Sequence, residues 1–66
     1  MKLYNVPNNT EIRVIGDVKT PPASLPIKEY DIIFFTHIDG MYSHCKNSKG
    51  ETMHLVAWAE VEIITR

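Results

Sequence analysis

Turn-forming residues recur so often along this chain that most of the stretches they bound are too short for a stable amphipathic helix. Pro7-Asn8-Asn9 combines a fixed φ with residues that tolerate left-handed backbone. Gly16-Asp17 follows, then the prolines Pro21, Pro22 and Pro26, then Asp39-Gly40 and finally Asn47-Ser48-Lys49-Gly50. What lies between these stops is β-branched and aromatic, which is strand composition.

In Thr10-Glu11-Ile12-Arg13-Val14-Ile15, Ile12 and Val14 share one face and Glu11 and Arg13 the other, so this segment is the first predicted strand. The proline-rich stretch from Asp17 to Pro26 admits neither a helix nor a central strand and is expected to be a long surface loop. Ile27 to Asp31 leads into Ile32-Ile33-Phe34-Phe35-Thr36-His37-Ile38. Two hairpins are expected next: one through Asp39-Gly40 into Met41 to Lys46, the other through Asn47 to Gly50 into Glu51 to Val56. Ala57-Trp58-Ala59-Glu60 has the length and composition of a single helical turn, and Val61-Glu62-Ile63-Ile64 reads as a short last strand. Five short strands and one long loop predict an all-β fold, a small closed barrel that leaves no exposed edges, with a plain meander as the alternative.

The 66 residues form one domain, 1–66, close to the size below which a chain cannot bury enough surface to fold unaided. A hydrophobic fraction of 44% is too high for a disordered chain and requires a packed core. The longest apolar run is too short to cross a bilayer. With one cysteine and no apolar leader in its first residues, the sequence fits a reducing, cytoplasmic setting. A formal charge of −1 gives no attractive field for phosphate backbones, which disfavours nucleic acid as a partner.

The order of these features resembles the Src-homology-3 (SH3-like) barrel. Leu25-Pro26-Ile27-Lys28-Glu29-Tyr30-Asp31-Ile32-Ile33 looks like that fold's diverging turn entering its second strand, and Asp39-Gly40-Met41-Tyr42 like the turn before its paired aromatics. Lys49-Gly50-Glu51-Thr52, Leu55-Val56-Ala57-Trp58 and Val61-Glu62-Ile63-Ile64 look like its distal hairpin, short helical turn and final strand. The resemblance covers residues 25–64 and implies a five-stranded SH3-like barrel with one helical turn near the C-terminus. Family members that grip proline-rich peptides do so between aromatic side chains. Here Met41 stands in place of the leading Trp, and Val56 and Ala59 fall where groove residues would be, so a proline-peptide ligand is not implied. The size, composition and opening residues also resemble small bacteriophage-encoded accessory proteins, which implies docking on a host or viral protein.

Candidate chemistry is sparse. His37, His44, Cys45 and His54 are zinc-ligand types, but their spacing fits no metal pattern. A hairpin turning at Ser48-Lys49 would set Ser43 opposite His54, place Cys45 and His54 diagonally on one face and turn His44 to the other. A Cys45-His54 nucleophile pair lacks an orienting acid and an oxyanion site. No catalytic residue, metal or cofactor is therefore assigned, and the chain is read as a binding protein rather than an enzyme. Its expected surface is Met41, Tyr42, Trp58, Tyr30 and the loop prolines Pro21 and Pro22, with Trp58 either plugging the barrel or lying open to a protein partner. Because Ile32 to Phe35 is apolar on both faces, a homodimer through that strand is a further expectation. A nucleic-acid or small-nucleotide binder would instead use Tyr42, His44 and Lys46.

Overall fold

The computed structural model describes residues 1–16 and 24–65. Pro21 and Pro22 lie outside these residues. The described chain is all-β, with strands β1 (Thr10–Gly16), β2 (Ile32–Asp39), β3 (Tyr42–Lys46), β4 (Thr52–Met53) and β5 (Glu60–Ile63). All pairings are antiparallel and the order across the sheet is β4-β3-β2-β1-β5, so β1 to β4 form a meander and β5 returns to lie beside β1.

The expected SH3-like barrel is not formed, because the sheet remains open with β4 and β5 as its two outer strands. Its edges are protected by irregular segments rather than by closure. On the β5 side, Leu3 N–H donates to the Ala59 carbonyl (2.9 Å) and Val61 N–H to the Met1 carbonyl (2.8 Å). Beyond the two-residue β4, Ser43 N–H donates to the Leu55 carbonyl and Ala57 N–H to the Met41 carbonyl, both at 2.9 Å.

The same bonds explain why residues 57–60 are not a helical turn. The N–H and carbonyl of Ala57 are taken by Met41 and Tyr4, the Ala59 carbonyl is taken by Leu3, and Glu60 already belongs to β5. The described helical element is instead a 3₁₀ turn at the other end of the chain, Leu3–Asn5, whose Leu3 side chain is buried.

The core lies on one face of the sheet. Ile12 and Val14 of β1, Ile33 and Phe35 of β2, Cys45 of β3, Met53 of β4 and Val61 of β5 pack beneath Leu3, Val6, Ile27, Leu55, Val56 and Ala59 of the connecting segments. Val56 and Ala59, placed along a ligand groove by the barrel resemblance, are core residues. In β2 the alternation changes phase. Phe35 pairs with Cys45 and His37 with His44, leaving Thr36 as an extra residue whose hydroxyl donates to the His44 carbonyl. After this bulge Ile38 faces the core and His37 points outward, where strict alternation would have reversed them.

Both hairpin turns depend on glycine at positive φ. Asp39 pairs with Tyr42 across a two-residue turn in which Gly40 has φ +66°, the geometry that matches strand twist. The second turn has three residues, Ser48 to Gly50, with Gly50 at φ +81°. Asn47 Oδ1 accepts the N–H groups of Lys49 (2.9 Å) and Glu51 (3.0 Å) there. One residue more than the expected turn shifts the register by one: Cys45 pairs with Met53, and His44 comes opposite His54.

Tyr30 also has positive φ, +71°, at the third position of a turn closed by Asp31 N–H to the Lys28 carbonyl (3.1 Å). That position favours glycine, and a bulky residue there carries strain of about 1 kcal/mol. Tyr30 is 65% exposed and contributes little packing in return. Tyr30→Gly is therefore expected to raise stability by about 0.5–1 kcal/mol, read as a higher urea midpoint at unchanged slope.

Candidate binding surfaces

The residues expected to act together are only partly gathered. The Met41 carbonyl accepts from Ala57 N–H, and the Ala57 carbonyl accepts from Tyr4 N–H (3.0 Å), so Met41, Ala57 and Tyr4 lie side by side at strand spacing. Ala57 is buried, and Trp58, next to it, is 40% exposed. Met41 is 63% exposed and Tyr4 is also exposed, which makes Met41, Trp58 and Tyr4 an apolar rim at one end of the sheet. Tyr42 is half-buried and packs against the core cluster. Tyr30 is not part of this rim. It precedes β2, Met41 follows it, and eight extended residues hold them about 25 Å apart.

Tyr4 was not anticipated from sequence. Its place follows from the Tyr4 to Ala57 bond, which joins segments far apart in the chain, and only the exposed aromatic itself hinted at it.

A second surface lies on the outer face of the sheet. Ile32 and Phe34 point away from the core on the central strand and are 45% and 41% exposed. Phe34 pairs with Glu11 on one side and Lys46 on the other, so one row across three strands reads Lys46, Phe34, Glu11. A depression of about 250 Å³ runs beside this row, lined by Ile32 and Phe34 together with Glu11, Lys46 and Ser48. Next to Ile32, Arg13 Nη1 is bonded to Glu62 Oε1 at 2.9 Å.

The three histidines form a band along the same face. His37 stacks on His44 with centroids 4.6 Å apart and planes 19° apart, and His44 meets His54 edge-on at 4.9 Å. His44 Nε2 is 3.0 Å from Asp39 Oδ2. His54 Nδ1 is 3.0 Å from the Ser43 carbonyl and must carry the proton there, since a carbonyl only accepts. Stacked rings aim their nitrogens side by side rather than at a common point. Among the described residues no three His, Cys, Asp or Glu side chains are placed to hold a metal ion.

The sequence-derived pairing of Cys45 with His54 is also undone by the register shift, because Cys45 is fully buried while His54 lies in the outer band. Burial pushes the Cys45 thiol above its ordinary pKa, with a smaller opposing effect from the Ser43 hydroxyl 3.3 Å away. Such a group is a protonated core thiol at neutral pH, not an activated nucleophile. Ser43 is equally buried and satisfied: its hydroxyl donates to the Leu55 carbonyl (2.9 Å) and accepts from Leu55 N–H (3.3 Å). Among the described residues no helix is long and apolar enough to cross a membrane.

The architecture defines an open, five-stranded antiparallel sheet with one packed face and one exposed face. Comparison with protein-family models, with curated proteins and with solved structures gave no match to this chain.

Proposed function

We propose that this protein is a non-catalytic binding module that docks on another protein through the rim formed by Met41, Trp58 and Tyr4. The carrying observation is that Ala57 is hydrogen-bonded to Met41 on one side and to Tyr4 on the other, which fixes the backbone under two exposed apolar side chains and next to a third, Trp58, before a partner arrives. Preorganisation of this kind lowers the ordering cost of association, and Trp and Tyr are the residue types that most often dominate binding energy. The chain's charge of −1 favours a protein over a nucleic acid as occupant. A cytoplasmic setting suits the free thiol of Cys45.

The test is retention from lysate by the tagged protein and by a Met41→Ala/Trp58→Ala variant with an unchanged circular dichroism spectrum, each washed at low and high salt. A discrete protein held at high salt by the parent and lost by the variant is the expected outcome. Equal retention by both, or recovery of nucleic acid released by salt, would count against docking at this rim.

A further inference from the structure

We infer that the outer face of the sheet is a self-association surface, on which a second copy of this chain packs face to face about a two-fold axis parallel to β2. This surface is separate from the Met41–Trp58 rim, and the inference does not rest on it.

In a five-stranded sheet the solvent face of the middle strand is the position farthest from any edge, and β2 places Ile32 and Phe34 there. Around them the face is charged or polar, with Arg13 and Glu62 beside Ile32, and Lys46 and Glu11 on either side of Phe34. An apolar centre inside a polar rim is the anatomy of a protein interface.

The charges identify the occupant. The row Lys46, Phe34, Glu11 carries opposite signs at equal distances from its centre, one strand spacing on each side. When two such rows are stacked about an axis running along β2, left and right exchange. Lys46 of each copy then stands over Glu11 of the other, with Phe34 over Phe34, so one favourable pair is made twice. An axis at right angles to β2 would instead put Lys46 over Lys46 and Glu11 over Glu11. The depression beside Phe34 provides room for the second copy's ring, and aligned sheets stack about 10 Å apart, within reach of these side chains.

The size of the face sets the expected strength. The two longer extents of the molecule, 31 and 24 Å, enclose a footprint of about 700 Å² per copy, slightly less than the roughly 800 Å² per partner of a standard stable interface. The dimer is therefore expected to be in exchange with monomer and to show itself as the concentration is raised.

The test is sedimentation equilibrium on the full chain over a wide concentration range. The parent protein is expected to move from monomer to dimer. Lys46→Glu alone and Glu11→Lys alone each create two like-charge contacts in the dimer and are expected to weaken association by roughly tenfold or more. Mixing these two single variants in equal amounts is expected to restore it, because the mixed dimer again has opposite charges at both contacts. An ion pair within one chain cannot be restored by mixing, so this arm reads the intermolecular contact itself. Phe34→Thr, a strand-compatible change at an exposed site, is expected to give a folded monomer. Met41→Ala/Trp58→Ala is expected to leave the dimer unchanged. A parent protein that stays monomeric at every concentration, or single variants whose mixture associates no better than either alone, would overturn the inference.

Discussion

Phe35→Ala is expected to leave the chain unfolded, or close to half unfolded, in water at room temperature. Phe35 is the largest fully buried side chain, on the middle strand, paired with buried Cys45 and within the cluster that joins the sheet to its covering segments. Truncating a buried Phe costs about 3–5 kcal/mol, the sum of lost transfer energy and a cavity the surroundings cannot fill. A single core in a chain of 66 residues rarely supplies more than about 3–5 kcal/mol of total stability, so one such loss consumes most or all of it. The neighbouring Phe34→Ala tests the assignment of faces. Phe34 points to solvent, and its truncation is expected to change monomer stability by less than about 1 kcal/mol. Urea unfolding followed by far-ultraviolet circular dichroism gives both values. If the two variants proved equally damaging, the alternation along β2 would be wrong.

That alternation marks how far the sequence could be read. Strand positions were legible because the segments between turn residues are short or rich in β-branched and aromatic residues, and the observed β1, β2, β3 and β5 fall on or within a residue or two of the expected segments. Fine geometry was not, because it depends on single residues. A three-residue turn ending in Gly50 in place of a two-residue one moved His54 from opposite Ser43 to opposite His44. The extra residue Thr36 then brought His37 into the same outer band. A period of two offers no margin for either error.

The barrel failed for a different reason. Closure is one way of satisfying edge strands, and the sequence shows that edges exist without showing what will cover them. Here the cover beside β5 comes from residues 1–4, whose hydrogen bonds with Ala57, Ala59 and Val61 link parts of the chain that no local pattern connects. The same long-range bonds place Tyr4 beside Ala57 and so add it to the rim. Met41 and Trp58 were legible as candidates because both sit at turns, where large apolar side chains have few neighbours to pack against. Tyr30 shares that property but lies at the far end of β2, and which turns share an end of the sheet is fixed by strand pairing, not by the residues at the turns.

Leu3→Ala is expected to cost about 2–4 kcal/mol and to loosen the β5 edge of the sheet. In sequence, Leu3 belongs to a short polar-flanked opening with no strand pattern. In the structure its side chain is fully buried, and its N–H is bonded to the Ala59 carbonyl beside β5. Removing a buried Leu side chain costs about 2–5 kcal/mol, and a site near a chain end, able to collapse or detach, belongs toward the lower part of that range. Detachment has its own signature. Without the segment the Val61 N–H loses its partner, the Met1 carbonyl, and the Leu3 N–H loses the Ala59 carbonyl. Hydrogen exchange at Leu3 and Val61 is therefore expected to accelerate together and by more than at Ile12 or Phe35, whose amides open only with the whole sheet. If the variant kept the parent's urea midpoint and its slow exchange at Val61, residues 1–6 would be an accessory to a sheet that stands without them. The expected loss makes them the structural substitute for barrel closure: a small sheet stays open because its own N-terminal segment, rather than its last strand, covers the exposed edge.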